Sequence, residues 1–178
     1  MRELIGFQAS IEWLGERVLS LRDVWPEGRL RAVVVGLGQS PLSVEAGHRY
    51  QGGQDVNMRR LARAGLFAET DGGIWEPTAL DAGVGFTDLV RRPIGPVSMA
   101  DLRHGAPLLR ATLAAREPDL TICMSKEPAV AIFGEEYPPG VLPVRTAWGG
   151  HIFRMPLVNL PAGRMAAVMQ QLGALLAS

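Results

Sequence analysis

Short segments rich in apolar residues recur along this chain, each too short for a buried helix. Residues 31–36 read RAVVVG, with an unbroken apolar run after the arginine, and residues 84–90 (VGFTDLV) and 120–124 (LTICM) are also mostly apolar. A continuous apolar run of this length is typical of a strand that is buried on both faces of a parallel sheet. These three segments therefore predict buried strands, and two further strands are expected at 144–148 and 151–157.

Helical patterns separate these strands. The turn between the last two predicted strands is Gly149-Gly150. Apolar spacing and capping residues predict helices at 8–22 (with Ser10 as the N-cap), 55–66, 98–116 (with a break near 105–107), 126–133, and from Pro161 through Leu172. Long loops are expected at 37–53 and 70–82. Strands that alternate with helices favour a three-layer α/β/α sandwich with a mainly parallel central sheet, here as one domain over residues 1–178.

Composition narrows the class of protein further. The 178 residues are 47% hydrophobic and 20% charged, which is a normal globular balance. There is neither an apolar stretch of the ~18 residues that a membrane span needs nor a secretory signal pattern. Cys123 is alone, and His48, His104 and His151 lie far apart. We therefore expect a soluble, cytoplasmic, monomeric protein without a metal or an organic cofactor.

The balance of charge gives no global indication of a nucleic-acid partner. Formal net charge is +0, although all 18 basic residues except Lys126 are arginine. Arginine makes bidentate contacts with phosphate, but a GC-rich genome also encodes arginine in place of lysine. The glycine-rich segment 36–52 lacks the Gly-Lys-Ser/Thr ending of a nucleotide-binding loop, and it has no GxGxxG that opens into a helix. No Gly-x-Ser-x-Gly sequence of an α/β hydrolase is present.

Several motifs occur in a fixed order along the chain. They are Val35-Gly36-Leu37-Gly38-Gln39-Ser40, Gly47-His48-Arg49-Tyr50, Arg63 to Phe67 (RAGLF), Gly85 to Pro93 (GFTDLVRRP), Ala100-Asp101-Leu102, Ser125-Lys126 and Pro156 to Leu160 (PLVNL). In this order the chain resembles the uracil-DNA glycosylase superfamily, closest to its mismatch-specific uracil/thymine branch, over about residues 31–178. Gly38 stands where that family has a water-activating Asn, Gln39 stands where it has Pro, and the last motif lacks the family's Pro-Ser pair and has no His.

The resemblance implies hydrolysis of an N-glycosidic bond, for which a carboxylate must stabilise the oxocarbenium-like sugar or orient water. Asp88 is the first candidate, with a helix cap or an ion pair to Arg91 or Arg92 as the structural alternative. Asp55 is the second candidate, with a helix N-terminal role as its alternative. Gln39 could hold the water through its carboxamide, or it could cap a loop.

The resemblance also implies a base pocket and a DNA-binding face. Tyr50 occupies the position of the aromatic residue that stacks on an extruded base, with Gly36, Leu37, Gly38 and Phe86 around it. Contacts to DNA are expected from Ser40, Ser43, Asn159, Leu160, Arg91 and Arg92, with Arg59, Arg60 and Arg63 adding to a phosphate-binding face. The implied function is repair of duplex DNA by removal of uracil or another deaminated or mismatched base. The alternative is a non-catalytic or re-purposed relative that binds nucleic acid or a free nucleoside.

Overall fold

A computed structural model describes residues 3–178 and contains six helices and seven strands in that range. The strands are β1 (Gln8–Trp13), β2 (Glu16–Leu21), β3 (Ala32–Gly36), β4 (Val84–Asp88), β5 (Leu120–Cys123), β6 (Gly140–Val141) and β7 (His151–Arg154). The helices are α1 (Pro41–Ala46), α2 (Asp55–Arg63), α3 (Glu76–Asp81), α4 (Met99–Arg116), α5 (Lys126–Phe133) and α6 (Ala162–Ala177).

The central sheet has the strand order β4-β3-β5-β7-β6. Its first four strands are parallel, and β6 is antiparallel to β7. This confirms the expected α/β class with a mainly parallel sheet. None of the helices over residues 3–178 is both long enough and apolar enough to span a bilayer.

Helices cover both faces of the sheet because its strands are apolar on both sides. Val34 points into a core shared with α2, α3 and α6, whereas Val33 and Val35 point into a second core against α4. This alternation follows from the two-residue period of a strand. The predicted strand at 31–36 is thus confirmed, as are the predicted helices at 126–133 and after Pro161.

The predicted helix at 8–22 is wrong, since β1 and β2 form an antiparallel hairpin there. Leu14 and Gly15 both have positive φ angles, of 50° and 83°, at its two-residue turn. Such turns need positive φ at both positions, and they match the twist of a hairpin. Ile11 and Val18, which looked like one helical face, are cross-strand partners, and Ser10 lies within β1 rather than at a cap.

Four smaller expectations also need correction. The segment 37–53 contains α1, and the segment 70–82 contains α3. Helix α4 continues through Pro107 because Gly105 lets its backbone approach Leu89 closely, so that packing offsets the lost hydrogen bond. The segment 144–148 is not a strand, because Thr146 closes a turn onto Gly150.

Candidate functional site

Three loops meet at the carboxyl edge of the sheet, as expected for ligand sites of α/β folds. The loop after β4 is bound to the loop after β3, since Leu89 N donates to Gly36 O at 2.9 Å and Val90 N donates to Leu37 O at 2.8 Å. Val158, in the loop after β7, lines a groove together with Ser40. The segments 36–52, 85–96 and 156–163 therefore come together at one edge.

Asp88 lies at the centre of this edge. The register pairs Gly36 with Asp88 at the ends of β3 and β4, so both residues face the same layer. Gln39 Nε2 donates to Asp88 Oδ1 at 2.8 Å, and an Arg49 guanidinium nitrogen donates to Asp88 Oδ2 at 3.1 Å. The Asp88 and Arg49 side chains are 4% and 1% exposed. Both carboxylate oxygens thus already have a donor.

Gln39 holds this arrangement in place. Its Oε1 accepts a hydrogen bond from Tyr50 N at 3.3 Å while its Nε2 binds Asp88. Both ends of the carboxamide are therefore engaged within the protein. In this structure Gln39 therefore has the structural role that was its alternative to holding water, a hydrogen bond within the loop.

Tyr50 closes the other side of the cluster. Its φ of 57° is unusual for a non-glycine residue, and its ring is tilted against Phe86 at 6.1 Å between centroids. The hydroxyl is buried with no hydrogen-bond partner among the described residues. Burial, followed by the negative charge of Asp88, raises the pKa of Tyr50 well above its usual range. A Cβ on Gly36 would lie 2.5 Å from Asp88 Oδ1 and 3.1 Å from the hydroxyl, so only glycine leaves room here.

Arg49 is the residue that sequence reasoning missed. Besides binding Asp88, its guanidinium donates to Arg22 O at 2.8 Å, and its backbone N–H donates to Glu76 Oε1 at 2.7 Å. Glu76 is itself fully buried, and its other oxygen lies 3.4 Å from His48 Nδ1. One arginine among many carries no local signal for burial. The two acidic partners, which are distant in sequence, become its neighbours only in the folded chain.

Gly38 does not face this cluster, although the resemblance places it at the family's catalytic Asn. A Cβ on Gly38 would point at Ile94 and lie 2.8 Å from Val90 O. A longer side chain there would collide with the loop after β4. Leu37 packs into the core beneath α4. Gly38 and Leu37 thus face away from the cluster, and Phe86 is a core residue; their contact with a base stays a prediction.

A groove of about 510 Å³, here called the edge groove, opens beside the cluster. Its lining contains neutral polar and small or apolar residues: Ser40, Leu42, Gln51, Gly53, Gln54, Val56, Asn57 and Val158. Ser40 and Gln51 are the sequence neighbours of Gln39 and Tyr50, so the groove adjoins the buried cluster. Leu42 and Val158 are more than half exposed. No charged side chain lines the groove.

The remaining catalytic and phosphate candidates have structural roles. Asp55 begins α2 and pairs with Arg59 at 3.1 Å, one turn along the helix. Ser40 is the N-cap of α1, where its hydroxyl accepts from Ser43 N at 3.2 Å. The buried Ser43 hydroxyl accepts from Gln51 N at 3.1 Å. None of these three residues contacts Asp88.

The two arginines after β4 are bound within the chain. Arg91 pairs with Asp23 at 3.2 Å rather than with Asp88. Arg92 binds Asp101 in a bidentate manner: its Nε donates to Oδ1 at 2.9 Å and a terminal nitrogen donates to Oδ2 at 2.6 Å. The hydrogen bonds from Arg92, together with those from Ser98 and Trp13, hold the pKa of Asp101 well below its usual range, although burial of the carboxyl opposes this shift. All three guanidinium nitrogens of Arg92 are therefore engaged within the chain, whereas Arg91 is bound through one nitrogen and keeps its Nε and other Nη donors.

The loop after β7 is exposed at its tip. Asn159 is exposed, and Leu160 is half-buried at the edge of a separate groove between α2 and α6. Cys123 is fully buried, which raises the pKa of its thiol to about 12. Residues 3–178 contain no group of three or more His, Cys, Asp or Glu side chains placed to share a metal ion.

Comparisons with known proteins add no family to this description. No family model matches the chain, and no curated protein matches it. The structure defines the class as an α/β sandwich with a polar cluster at the carboxyl edge of its sheet.

Proposed function

We propose that the protein recognises a single nucleobase in the edge groove and holds it without hydrolysis. The base would be presented by DNA or as a free nucleoside in the cytoplasm. The observation that carries this proposal is the uncharged lining of the groove. Carboxamides supply both donors and acceptors, which suits the edge of a nucleobase, while aliphatic side chains cover its faces.

Individual groups in the groove support this assignment. The Gln54 side chain is exposed and makes no hydrogen bond to the described residues. Asn57 uses its Oδ1 for Arg60 at 3.2 Å, which leaves its amide hydrogens for a ligand. Leu42 and Val158 provide apolar contact. A groove of about 510 Å³ also lies within the size range of small-molecule sites.

The state of Asp88 argues against hydrolysis as the main activity. A carboxylate that orients water needs a free oxygen within reach of that water. Both oxygens of Asp88 accept hydrogen bonds from Gln39 and Arg49, and the side chain is 4% exposed. The ion pair with Arg49 also offsets the negative charge that would stabilise an oxocarbenium ion.

A second candidate function is the glycosylase activity implied by the sequence resemblance. The observation that favours it is that Asp88, Gln39 and Tyr50 lie in one cluster, and that the residues next to Gln39 and Tyr50 in sequence line the edge groove. In this proposal Asp88 is the catalytic carboxylate, and the protein releases uracil or a mismatched base from duplex DNA.

Binding and cleavage can be measured on the same labelled duplexes, which carry uracil or thymine opposite guanine, or hypoxanthine. Alkali treatment and gel electrophoresis report cleavage, and anisotropy reports binding. Titration of ¹⁵N-labelled protein with uridine, thymidine and cytidine tests free nucleosides through the side-chain amide signals of Gln51, Gln54 and Asn57. We expect these signals to shift and no strand to be cleaved.

Gln54→Ala tests the groove, and Gln170→Ala on exposed α6 is its matched control. The loss of one hydrogen bond predicts binding about 2–10-fold weaker for Gln54→Ala and unchanged for Gln170→Ala. Amide signals that stay fixed with all nucleosides and duplexes would refute base recognition. Cleavage by the wild type that is lost in an Asp88→Asn protein shown by circular dichroism to be folded at the assay temperature would instead establish the glycosylase function.

A further inference from the structure

A second groove lies between α2 and α6, and we call it the α2–α6 groove. It has a volume of about 690 Å³. The residues that define its chemistry are Arg60 and Arg63 on α2, and Leu160, Met165, Ala166 and Met169 on or near α6. It is separate from the edge groove and takes no part in the proposed recognition of a base.

The two walls of the α2–α6 groove differ in character. Arg60 and Arg63 form a basic wall, and no acidic residue lines the groove. The opposite wall belongs to α6, whose residues 162–177 include a single charged side chain, Arg164. Ala166 is exposed on this helix. A surface helix that is not covered by a partner normally carries charged residues on its outer face.

We propose that the α2–α6 groove docks an amphipathic helix of a partner protein that carries acidic residues along one flank. Apolar side chains of that helix, spaced three and four residues apart, would contact Met165 and Met169. Its acidic flank would meet Arg60 and Arg63. Methionine adapts its shape to an incoming apolar surface, and an amphipathic helix in an apolar groove is a common mode of recognition.

The internal partners of the two arginines do not block this docking. Arg63 pairs with Glu69 at 3.1 Å, and the two side chains are 70% and 51% exposed. Exposed ion pairs contribute little to stability, so a partner's carboxylate can replace that of Glu69 at small cost. Arg60 gives one nitrogen to Asn57 and keeps its other donors.

The lining favours a peptide over a nucleic acid strand. Single strands bind through aromatic side chains on which their bases stack, and no aromatic residue lines this groove. Its floor is aliphatic and thioether surface, which a phosphate backbone would leave uncovered. The small side chain of Ala166 also allows the close approach that helix packing requires.

A displayed library of random 16-residue peptides provides the test. Peptides that bind the full wild-type chain are retained, and those that also bind the Ala166→Glu variant are removed. This substitution places a negative charge and a larger side chain in the groove. We expect the retained peptides to be acidic and to carry apolar residues at helical spacing. Fluorescence anisotropy of one such labelled peptide then measures affinity for each variant.

Matched variants separate the groove from general charge effects. Arg63→Glu and Arg164→Glu change the net charge equally, but only Arg63 lines the groove. Ala166→Glu and Ala167→Glu are adjacent exposed positions, and only Ala166 lines it. Peptide affinity should fall at least about 10-fold for the groove variants and change less than about 2-fold for the controls.

Two results would overturn the proposal. One is a selection that yields no peptides dependent on Ala166, or peptides without acidic residues and helical spacing. The other is that single-stranded DNA displaces the peptide and that Arg63→Glu loses DNA binding while Arg164→Glu keeps it. That result would assign the groove to nucleic acid. Retained folding of each variant is checked by its thermal unfolding midpoint.

Discussion

Replacing Asp88 by Asn should destabilise the protein strongly, because it breaks a buried ion pair. Asn lacks the charge that balances Arg49, and the Arg49 side chain is 1% exposed, so solvent cannot replace the lost partner. Breaking one side of such a pair typically costs about 3–5 kcal/mol in the free energy of unfolding. For a chain of this length that corresponds to a fall of roughly 6–20 °C in the unfolding midpoint.

The assay is urea unfolding followed by circular dichroism, with Asp55→Asn as the matched control. Asp55 makes the same kind of contact with Arg59, but that pair is partly exposed, at 29% and 41%. Its loss should cost no more than about 0.5 kcal/mol. The same chemical change is thus compared in a buried and in a solvated pair.

A double-mutant cycle with Arg49→Met completes the measurement. If the two side chains interact directly, the double variant should be about 1–3 kcal/mol more stable than the sum of the single effects predicts. The reasoning is refuted if Asp88→Asn is as stable as the wild type, or if the two substitutions add without coupling.

Three further outcomes follow from the structure. Asp101→Ala should lower stability by about 1–3 kcal/mol at pH 7, because the Arg92 side chain is 27% exposed and water partly replaces its lost partner. Since the folded pKa of Asp101 is depressed, the advantage of the wild type should be present above about pH 4 and should shrink as the pH falls through the folded pKa. Acid titration of both proteins measures this. Gly36→Ala should cost about 1–3 kcal/mol in urea unfolding because its Cβ would collide with Asp88, whereas Gly53→Ala, with open space around it, should be near neutral. The Cys123 thiol, whose pKa burial raises to about 12, should resist Ellman's reagent at pH 8 in the native protein and react fully in urea.

The four parallel strands of the central sheet could be predicted from the sequence because their signal is local, whereas the two-residue β6 was missed. A valine-rich run such as 31–36 has no polar face, so only a position between two layers buries it fully. The convergence of Asp88 and Gln39 also followed from topology, since parallel strands end at the same edge of a sheet.

The hairpin at the N-terminus was not predictable from apolar spacing alone. Ile11 and Val18 are seven residues apart, which fits two helical turns and also fits partners across a two-residue turn. The contacts that decide between them are distant, because Trp13 donates its indole N–H to Asp101 at 2.9 Å and thereby fixes β1 against α4. Long-range packing outweighs a weak local preference in such cases.

The layers of this protein, its parallel sheet and the edge at which its loops meet can be derived from the amino-acid sequence, because all three follow from hydrophobic pattern and chain direction. The burial of Arg49 against Asp88, and the orientation of Gly38 toward Ile94 rather than the cluster, are visible only in the folded chain. Those outcomes depend on side-chain direction and on partners that are distant in sequence, and an ion pair becomes strong only where folding removes water from both of its members.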